Sequence, residues 1–295
     1  MQLFLIIRRT FMTNILVTGA EGQLGQCFQA VAKEFPLHNL IFVTKRDLDI
    51  TKPKSLKKGF DLVPFEGIIN CAAYSKVDLA ELEKNKAKKI NTEGVQNLVS
   101  FSEKNKLFLI HFSTDYIFDG KNKLPLKEDH VTKPLNYYAE SKLAGEEVLK
   151  RASCLNTSIR ISWLFSPYGT NFVKKIIKLS NSKKDIQVVN DQSGRPTYGI
   201  DLARVILKNI THPDFFSYNC YHYANKGFTT WFNFAKKIIA LSGNNCSVKP
   251  CSSNEDKTHV ERPGFSILDT SRIENNLSLS IPDWENALQR CLNRM

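Results

Sequence analysis

The chain has 295 residues, of which 42% are hydrophobic and 24% charged, which is typical of a globular protein with one large domain or two coupled ones. The net charge is +12, but the lysines are scattered and no arginine-rich stripe with interleaved aromatic residues appears, so we expect no nucleic-acid partner. No run approaches the roughly 18 apolar residues of a membrane span, and seven irregularly spaced cysteines without a Cys-x-x-Cys pair indicate a reducing, cytoplasmic compartment without disulfides or structural zinc.

The first residues form a segment that we leave out of the fold. Residues 1–11 contain a short apolar run followed by two arginines, which is the reverse of the order in a signal peptide. Met12 directly precedes the first predicted strand. We therefore interpret residues 1–11 as an extension.

A glycine-rich turn follows the first strand. Residues 15–17 form an apolar run typical of a strand buried on both faces of a parallel sheet, and Gly19, Gly22 and Gly25 follow at three-residue spacing. Gly19 allows a sharp turn, Gly22 lets the backbone approach a pyrophosphate, and Gly25 lets the next helix pack close to the sheet. Because an anion binds well at the N-terminus of a helix, this stretch predicts a dinucleotide site.

The second strand, predicted over residues 39–44, ends where such folds bind the adenosine ribose. An acidic residue there would hold the 2′-hydroxyl of NAD, whereas a nearby arginine accommodates the 2′-phosphate of NADP. This chain has no acid at the strand end and continues with Lys45 and Arg46, which favours NADPH, with NADH as the alternative cofactor. Both cations could instead be solvated surface residues; Asp49 and Ile50 are placed to flank the adenine.

Strands and helices then alternate at lengths that fit parallel crossovers. A third strand over residues 67–73 ends in small side chains that leave room for a cofactor, helices follow over 78–89 and 91–104, and a fourth strand covers 107–112. The pattern predicts an α/β fold with a Rossmann-like, doubly wound parallel sheet. Chemistry in such a fold is expected at the carboxyl ends of the strands.

Polar residues whose side chains could take part in catalysis follow the fourth strand. Thr114 stands at a strand end, where its hydroxyl can donate to a substrate oxygen. Pro134 indicates that a helix begins shortly after it. Tyr138 and Lys142 are four residues apart in this helix, so they share one helical face. An ammonium near a phenol lowers the phenol's pKa from about 10, which would let Tyr138 pass a proton at neutral pH. By itself the pair could be a packed tyrosine beside a surface lysine.

The regular alternation loosens in the second half. We predict a dinucleotide-binding domain over residues 12–162, with returning segments near 197–225, and a smaller, discontinuous substrate-binding lobe mainly over 163–295. The predicted elements of this half are helices over 171–179, 201–209 and 229–241, strands over 185–189 and 221–224, and a final helix opened by Pro282.

Several motifs are more specific than the glycine turn. They are Asn-Cys-Ala-Ala-Tyr at 70–74, Ser-Thr-Asp-Tyr at 113–116, the Tyr-x-x-x-Lys helix at 134–146, Arg-x-Ser-Trp at 160–163, Asn-Asp-Gln at 190–192 and Arg-Pro at 262–263. With these motifs the chain resembles the extended short-chain dehydrogenase/reductases, and within them the dTDP-4-dehydrorhamnose reductase family. The resemblance runs from residue 14 almost to the C-terminus.

The resemblance implies a role for each matching residue. Tyr138 would be the proton donor, Lys142 would tune its pKa and bind the cofactor ribose, and Thr114 would polarise the carbonyl. The cofactor would further contact Gly19, Gly22, Gln23, Leu24, Gly25, Arg46, Asp49, Ile50, Ala72, Ala73 and Tyr74. The substrate would further contact Asp115, Tyr116, Asn190 and Gln192, and its sugar would stack on Trp163.

The implied activity is NADPH-dependent reduction of dTDP-4-dehydro-6-deoxy-L-mannose to dTDP-L-rhamnose for surface polysaccharide. One alternative is a sugar-nucleotide dehydratase, epimerase or other reductase on the same scaffold, although dehydratases commonly carry Asp-Glu where this chain has Asp115-Tyr116. Another is a non-catalytic regulatory subunit that keeps cofactor binding. The implied partner is a nucleotide sugar, and the chain would be a monomer or a homodimer.

The chain departs from the family at a metal-binding position. Some relatives bind Mg²⁺ at a dimer interface through glutamates, one of which lies two residues after the third glycine. Here that position is Cys27, and Arg294 stands where a second glutamate lies near the C-terminus. We therefore expect no metal site.

Overall fold

The computed structural model describes residues 13–121, 123–255 and 260–295, so the predicted extension at 1–11 lies outside the described residues. The strands are β1 (Thr13–Thr18), β2 (His38–Val43), β3 (Gly67–Asn70), β4 (Phe108–Thr114), β5 (Asn156–Ile161), β6 (Leu164–Phe165), β7 (Asp185–Val189), β8 (Ser193–Gly194), β9 (Thr197–Tyr198), β10 (Cys220–Tyr223), β11 (Thr229–Thr230), β12 (Ser247–Cys251) and β13 (Phe265–Ser266). The helices are α1 (Gln23–Val31), α2 (Pro53–Leu62), α3 (Val77–Ala80), α4 (Lys84–Lys88), α5 (Gly94–Asn105), α6 (Tyr137–Lys150), α7 (Phe172–Ser180), α8 (Gly199–Asn209), α9 (Trp231–Ser242), α10 (Ser271–Asn276) and α11 (Trp284–Leu292).

A parallel sheet forms the centre of the fold. Its strands lie in the spatial order β2–β1–β3–β4–β5–β10, and each neighbouring pair is parallel. Ile15 and Val17 of β1 face a core with α1 and α8, whereas Leu16 faces a second core with α2, α5 and α6. Because both faces are covered by helices, the apolar run of β1 has no solvated side. The predicted doubly wound sheet is confirmed.

The direction of the crossovers changes at the centre of this sheet. Strands β1 and β3 lie side by side, with Thr18 opposite Asn70 at their carboxyl ends. Ligands of open α/β sheets bind in the crevice outside such a switch point. The topology therefore places a binding groove above these two strand ends.

Two predicted elements differ from the structure in this half. Strand β3 ends at Asn70, because the Asn70 side chain accepts a hydrogen bond from the Ala72 backbone at 3.2 Å and turns the chain. The helix predicted over 78–89 divides into α3 and α4, and a π-helical turn (Lys89–Glu93) then leads into α5. The break lies at Glu83, whose side chain accepts from the Tyr74 phenol at 2.6 Å.

In the described residues, the second half of the chain forms three smaller sheets and contributes one strand, β10, to the central sheet. Strand β8 pairs with β11 and β13, β7 pairs with β12, and β6 pairs with β9. The late strand predicted over 221–224 is β10, which extends the main sheet beside β5. Pro282 precedes the last helix rather than lying within it, since Asp283 is the N-cap and its side chain accepts from the Glu285 backbone. Within the described ranges, no helix has the length and apolar character needed to cross a bilayer.

Candidate active site

Two adjoining cavities open at the carboxyl ends of the central strands. The larger has a volume of about 510 Å³ and extends from β4 and α6 to the side chains of Trp163 and Trp231. The smaller has a volume of about 210 Å³ and lies between the glycine turn and the end of β2. Gly22, Cys71 and Ala73 line both cavities, so we treat them as two parts of one groove.

The larger cavity brings together the three predicted catalytic side chains. Thr114 is the last residue of β4, and Tyr138 and Lys142 lie on the first turns of α6; all three line the cavity. The Tyr138 phenol shares a hydrogen bond with the Thr114 side chain. A phenol and a hydroxyl that meet in a cavity can both donate to one oxygen of a bound molecule.

Helix α6 is held in place by contacts at its N-terminus and in its second half. Asn136 is its N-cap and accepts from the Ala139 backbone N–H at 2.9 Å, while its own amide donates to the Glu261 carbonyl at 2.9 Å. A Cβ added at Gly145 would overlap the Asn91 carbonyl oxygen, so only glycine lets the helix lie this close to the π-helical turn. These contacts fix the height of the helix relative to the strand ends.

Lys142 is buried and makes its polar contacts below the groove. Its Nζ donates to the Phe112 carbonyl at 2.5 Å and lies 3.1 Å from His111 Nε2. Burial lowers the pKa of Lys142 to about 8, against the opposing effect of the Glu146 carboxylate. A lysine with such a pKa can change its protonation state near neutral pH.

The pKa of Tyr138 differs from the sequence prediction. Burial raises it to about 12, although the hydrogen bond with Thr114 acts in the opposite direction, and the nearby Asp115 raises it further. The predicted lowering is not present in this structure, because burial outweighs the other effects and Lys142 bonds to Phe112 and His111. Tyr138 is therefore a protonated phenol at neutral pH.

Asp115 follows Thr114 and lines the same cavity. It is buried, and burial raises its pKa to about 7 even though hydrogen bonds with Ser266 and Thr114 act to lower it. The Thr114 hydroxyl donates to Asp115 Oδ1 at 3.2 Å. Asp115 can accept a hydrogen bond from a ligand hydroxyl as a carboxylate, or donate one as a carboxylic acid.

Tyr116 lies between Tyr138 and a basic residue. The Tyr116 and Tyr138 rings meet edge to face, with centroids 6.1 Å apart. Tyr116 also shares a hydrogen bond with Arg262, which donates to Asp78 Oδ1 at 2.6 Å. Arg262 therefore connects the late loop to Tyr116 after β4 and to α3.

The glycine turn has the geometry of a phosphate cradle. Gly19 has φ +67°, and a Cβ there would lie 2.6 Å from the Ala72 nitrogen. A Cβ at Gly25 would overlap the Gly19 carbonyl, so Gly25 serves helix packing. Among the described residues, a Cβ added at Gly22 would meet only the Gly19 oxygen outside its chain neighbours, at 3.1 Å. The first N–H groups of α1, beginning at Gln23, have no partner inside the helix. The open glycine and the free N–H groups fit a pyrophosphate.

The smaller cavity has the predicted adenosine residues at its far end. Thr44 turns the chain after β2, since its N–H and hydroxyl both donate to Asp47 Oδ2. Arg46 lies outside the lining of both cavities, so Lys45 is the cation that faces the groove. The lining at this end consists of Thr44, Lys45, Leu48, Asp49, Ile50 and Thr51.

Most of the remaining predicted cofactor residues line one or both cavities, and Tyr74 lines neither. Ala73 lines both cavities, Ala72 lines the smaller one, and Gln23 and Leu24 line the larger one. Tyr74 lines neither, because its ring is buried and its phenol donates to Glu83.

Trp163 packs against a second tryptophan. Its indole stacks on Trp231, with centroids 3.6 Å apart and planes at 9°, and a Cβ added at Gly194 would lie 2.5 Å from its ring. Its φ is +47°, in the left-handed region. Trp163 lines the larger cavity together with Trp231 and Phe172, and the stacking of a sugar on its ring stays a prediction.

The Asn-Asp-Gln loop lies outside the cavity linings. Asn190 Oδ1 accepts from the Thr230 hydroxyl at 2.7 Å, and Gln192 is buried. Asp191 accepts from the backbone and hydroxyl of Ser253. The structure therefore gives these residues contacts within the protein.

The two positions at which the chain departs from metal-binding relatives differ in exposure. Cys27 is wholly buried, and burial raises its pKa to about 12. Arg294 is exposed near the end of the chain. Across the described ranges, no cluster of three or more His, Cys, Asp or Glu side chains is placed to hold a metal ion.

Two side chains at the site were missed by the sequence analysis. His111 touches Lys142 from below, and its signal was a polar residue inside an otherwise apolar strand. Trp231 lines the larger cavity, but in the sequence it fits the apolar face of α9 equally well.

Comparison with known proteins covers almost the whole chain. Residues 12–295 match the family model of the RmlD substrate binding domain. The chain is 34% identical to a spore coat polysaccharide biosynthesis protein of Bacillus subtilis (95% of this chain, 97% of the relative) and 32% identical to a dTDP-4-dehydrorhamnose reductase of Escherichia coli K12 (96% and 98%). A solved dTDP-4-dehydrorhamnose reductase of Bacillus anthracis, in complex with NADP, is 35% identical with a TM-score of 0.91 (97% and 100%).

Proposed function

The chain belongs to the RmlD substrate binding domain family and is an NAD(P)H-dependent oxidoreductase, and from this premise we propose that it reduces dTDP-4-dehydrorhamnose to dTDP-L-rhamnose with NADPH. One observation carries the proposal: Thr114, Tyr138 and Lys142 line a single cavity that continues into the glycine turn. The name of the Bacillus subtilis relative supports a use of the product in surface polysaccharide.

Each of the three side chains has a distinct task in this reaction. When bound, NADPH supplies the hydride that reduces the keto carbon. Tyr138 donates a proton to the developing alkoxide, and its raised pKa keeps that proton available at neutral pH. Thr114 donates a hydrogen bond to the same oxygen, and both donors are held in place before charge develops. Lys142 would hold the ribose hydroxyls of the cofactor.

The direct test uses the purified chain, NADPH and freshly prepared dTDP-4-dehydrorhamnose. We expect oxidation of NADPH, followed by nicotinamide absorbance, and dTDP-L-rhamnose as the product identified by NMR. A changed sugar without net NADPH consumption would indicate a dehydratase or epimerase instead. NADPH binding without turnover, together with co-purification of a larger enzyme, would indicate a regulatory subunit.

We further propose that Lys45, rather than Arg46, recognises the 2′-phosphate of NADPH. Lys45 lines the smaller cavity next to Asp49 and Ile50, whereas Arg46 does not. The residue directly after β2 is Thr44 and not an acid, and Asp47, three residues further on, accepts two hydrogen bonds from Thr44 through Oδ2. A cation at this point would select the phosphorylated cofactor.

Lys45→Ala should raise the KM for NADPH about tenfold and leave the KM for NADH unchanged. The change corresponds to about 1.4 kcal/mol, as expected for one charge-assisted contact with a phosphate. Steady-state kinetics with both cofactors measure it. Arg46→Ala is the matched control and should change the KM for NADPH by less than about twofold; equal effects of the two substitutions would contradict the assignment.

The division into a cofactor domain and a substrate lobe stays a proposal, as does the state of monomer or homodimer. The nucleotide sugar would enter the larger cavity from the side of Trp231 and Phe172, which belong to the second half of the chain. No disulfide bond joins any of the seven cysteines, all of which lie within the described residues, and we propose a reducing, cytoplasmic setting.

A further inference from the structure

A chain of buried polar side chains runs beneath the groove from β1 to α6. The Thr18 hydroxyl donates to Asn70 Oδ1 at 2.6 Å, Asn70 Nδ2 lies 3.0 Å from His111 Nδ1, and His111 Nε2 lies 3.1 Å from Lys142 Nζ. All four side chains are buried, each with 3% or less of its surface exposed. This hydrogen-bonded series of side chains joins three neighbouring strands to the lysine at the centre of the candidate site.

The orientation of Asn70 determines which nitrogen of His111 carries a proton. Asn70 Oδ1 accepts from the Thr18 hydroxyl and from the Ala72 backbone N–H, and a backbone N–H can only donate. The amide nitrogen of Asn70 must therefore face His111, so that His111 Nδ1 accepts. Burial holds the pKa of His111 well below its usual range, so the imidazole is neutral. A neutral imidazole that accepts at Nδ1 carries its proton on Nε2.

This tautomer points an N–H at the amine of Lys142. An Nε2–H can bond to Nζ only if Nζ offers a lone pair, which an ammonium does not have. An uncharged amine satisfies every contact, since it accepts from His111 and donates to the Phe112 carbonyl. The ammonium form would leave two donors facing each other in a buried place, which is costly.

We infer that His111 is a positioning residue for Lys142: its Nε2–H holds the uncharged amine against the Phe112 carbonyl, and protonation of the amine releases Lys142 toward the groove. The proton comes from solvent through the open cavity that Lys142 lines. The tautomer and its effect on Lys142 stand on the geometry described; the role of the released ammonium in holding the cofactor rests on the proposed function.

The other ionisable groups around Lys142 do not replace His111 in this role. Glu146, one turn further along α6, is paired with Arg160 of β5 at 2.8 Å, so its charge is largely balanced. The remaining groups that face this region are Tyr138 on α6, Asp115 and Tyr116 after β4, and Cys71 after β3. The lowered pKa of Lys142, which burial causes, agrees with an amine that is easily uncharged.

The first test measures the tautomer directly, whatever the enzyme reduces. In ¹⁵N-histidine-labelled protein, we expect the ring of His111 to be protonated at Nε2, with His111→Gln identifying its signals. Asn70→Asp should invert the tautomer, because a carboxylate can only accept and draws the proton to Nδ1. A proton on Nδ1 in the unmodified protein would overturn the inference.

The second test follows the pH dependence of NADP⁺ affinity by fluorescence titration between about pH 6 and 10. We expect affinity to fall with rising pH as Lys142 loses its proton, with a midpoint near the pKa of about 8. Asn70→Asp and His111→Gln should both raise the midpoint of this fall in affinity by about one pH unit. At pH values above the midpoint, the affinity for NADP⁺ would then be about tenfold higher than in the unmodified protein. Lys142→Arg should remove this fall in affinity with rising pH.

His222→Gln is the matched control, because His222 is equally buried but lies on β10 against the Leu126 carbonyl, away from Lys142. It should leave the midpoint unchanged. An unchanged midpoint in Asn70→Asp and His111→Gln would overturn the inference. A midpoint that shifts in these variants, in a protein that does not turn over dTDP-4-dehydrorhamnose, would support the inference and count against the proposed function.

Discussion

Tyr138→Phe should lower kcat for dTDP-4-dehydrorhamnose reduction by about 10²- to 10⁴-fold, the range typical of a lost general acid. The substitution removes one oxygen, and with it the proton that the structure keeps on the phenol beside Thr114. NADPH affinity should change by less than about twofold, because the ring still fills the same space. Steady-state kinetics and a fluorescence titration of NADPH separate the two effects.

Tyr137→Phe is the matched control for this prediction. Tyr137 is the neighbouring residue on α6 and is partly buried, with the Lys84 ammonium 5.1 Å from the centre of its ring. It lies outside the lining of the cavities, so its phenol oxygen should be dispensable for turnover. Full activity in Tyr138→Phe, or an equal loss in both variants, would rule out the proposed proton donor.

Gly19→Ala should abolish measurable NADPH binding and lower the free energy of unfolding by about 2 to 5 kcal/mol. The left-handed φ of +67° costs about 1–2 kcal/mol for a residue with a Cβ. The new methyl would also lie 2.6 Å from the Ala72 nitrogen, and such overpacking typically costs about 1–3 kcal/mol more. Urea denaturation and NADPH titration measure the two losses.

Gly243→Ala isolates the backbone part of that cost. Gly243 ends α9 with φ +70°, but no atom of the described residues outside its chain neighbours lies within 4 Å of a Cβ placed there. The substitution should therefore cost only about 1–2 kcal/mol and leave NADPH affinity unchanged. An equal cost of unfolding in both variants would show that the contact of Gly19 with Ala72 is unimportant.

The parallel sheet was predictable because its strands are short, apolar and evenly separated by helical segments. The helix predicted over 78–89 was not correctly placed, because its break depends on long-range contacts. Glu83 accepts from the Tyr74 phenol, and Glu81 accepts from the backbone of Tyr137, 56 residues away. Local pattern favours a continuous charged helix there, and tertiary hydrogen bonds override it.

The candidate site was predictable to the extent that it depends on backbone periodicity. Tyr138 and Lys142 share a helical face whatever surrounds them, and Thr114 follows directly from the end of β4. The raised pKa of Tyr138 and the stacking of Trp163 on Trp231 could not be predicted, because both result from neighbours distant in the sequence. Likewise, the proposed role of Lys45 in place of Arg46 depends on which of the two lines the smaller cavity, which the sequence does not show.

Strand β10 has a consequence for how the chain is made. Its residues follow β5 by almost sixty positions, yet they pair with Ser158 to Ile161 and complete the sheet. While the ribosome is still translating the intervening segment, β5 is an unpaired edge with open hydrogen-bonding groups, a template for aggregation. A gene fragment ending near residue 162 would keep that edge permanently, so residues 12–162 should be insoluble when they are produced without the remainder of the polypeptide.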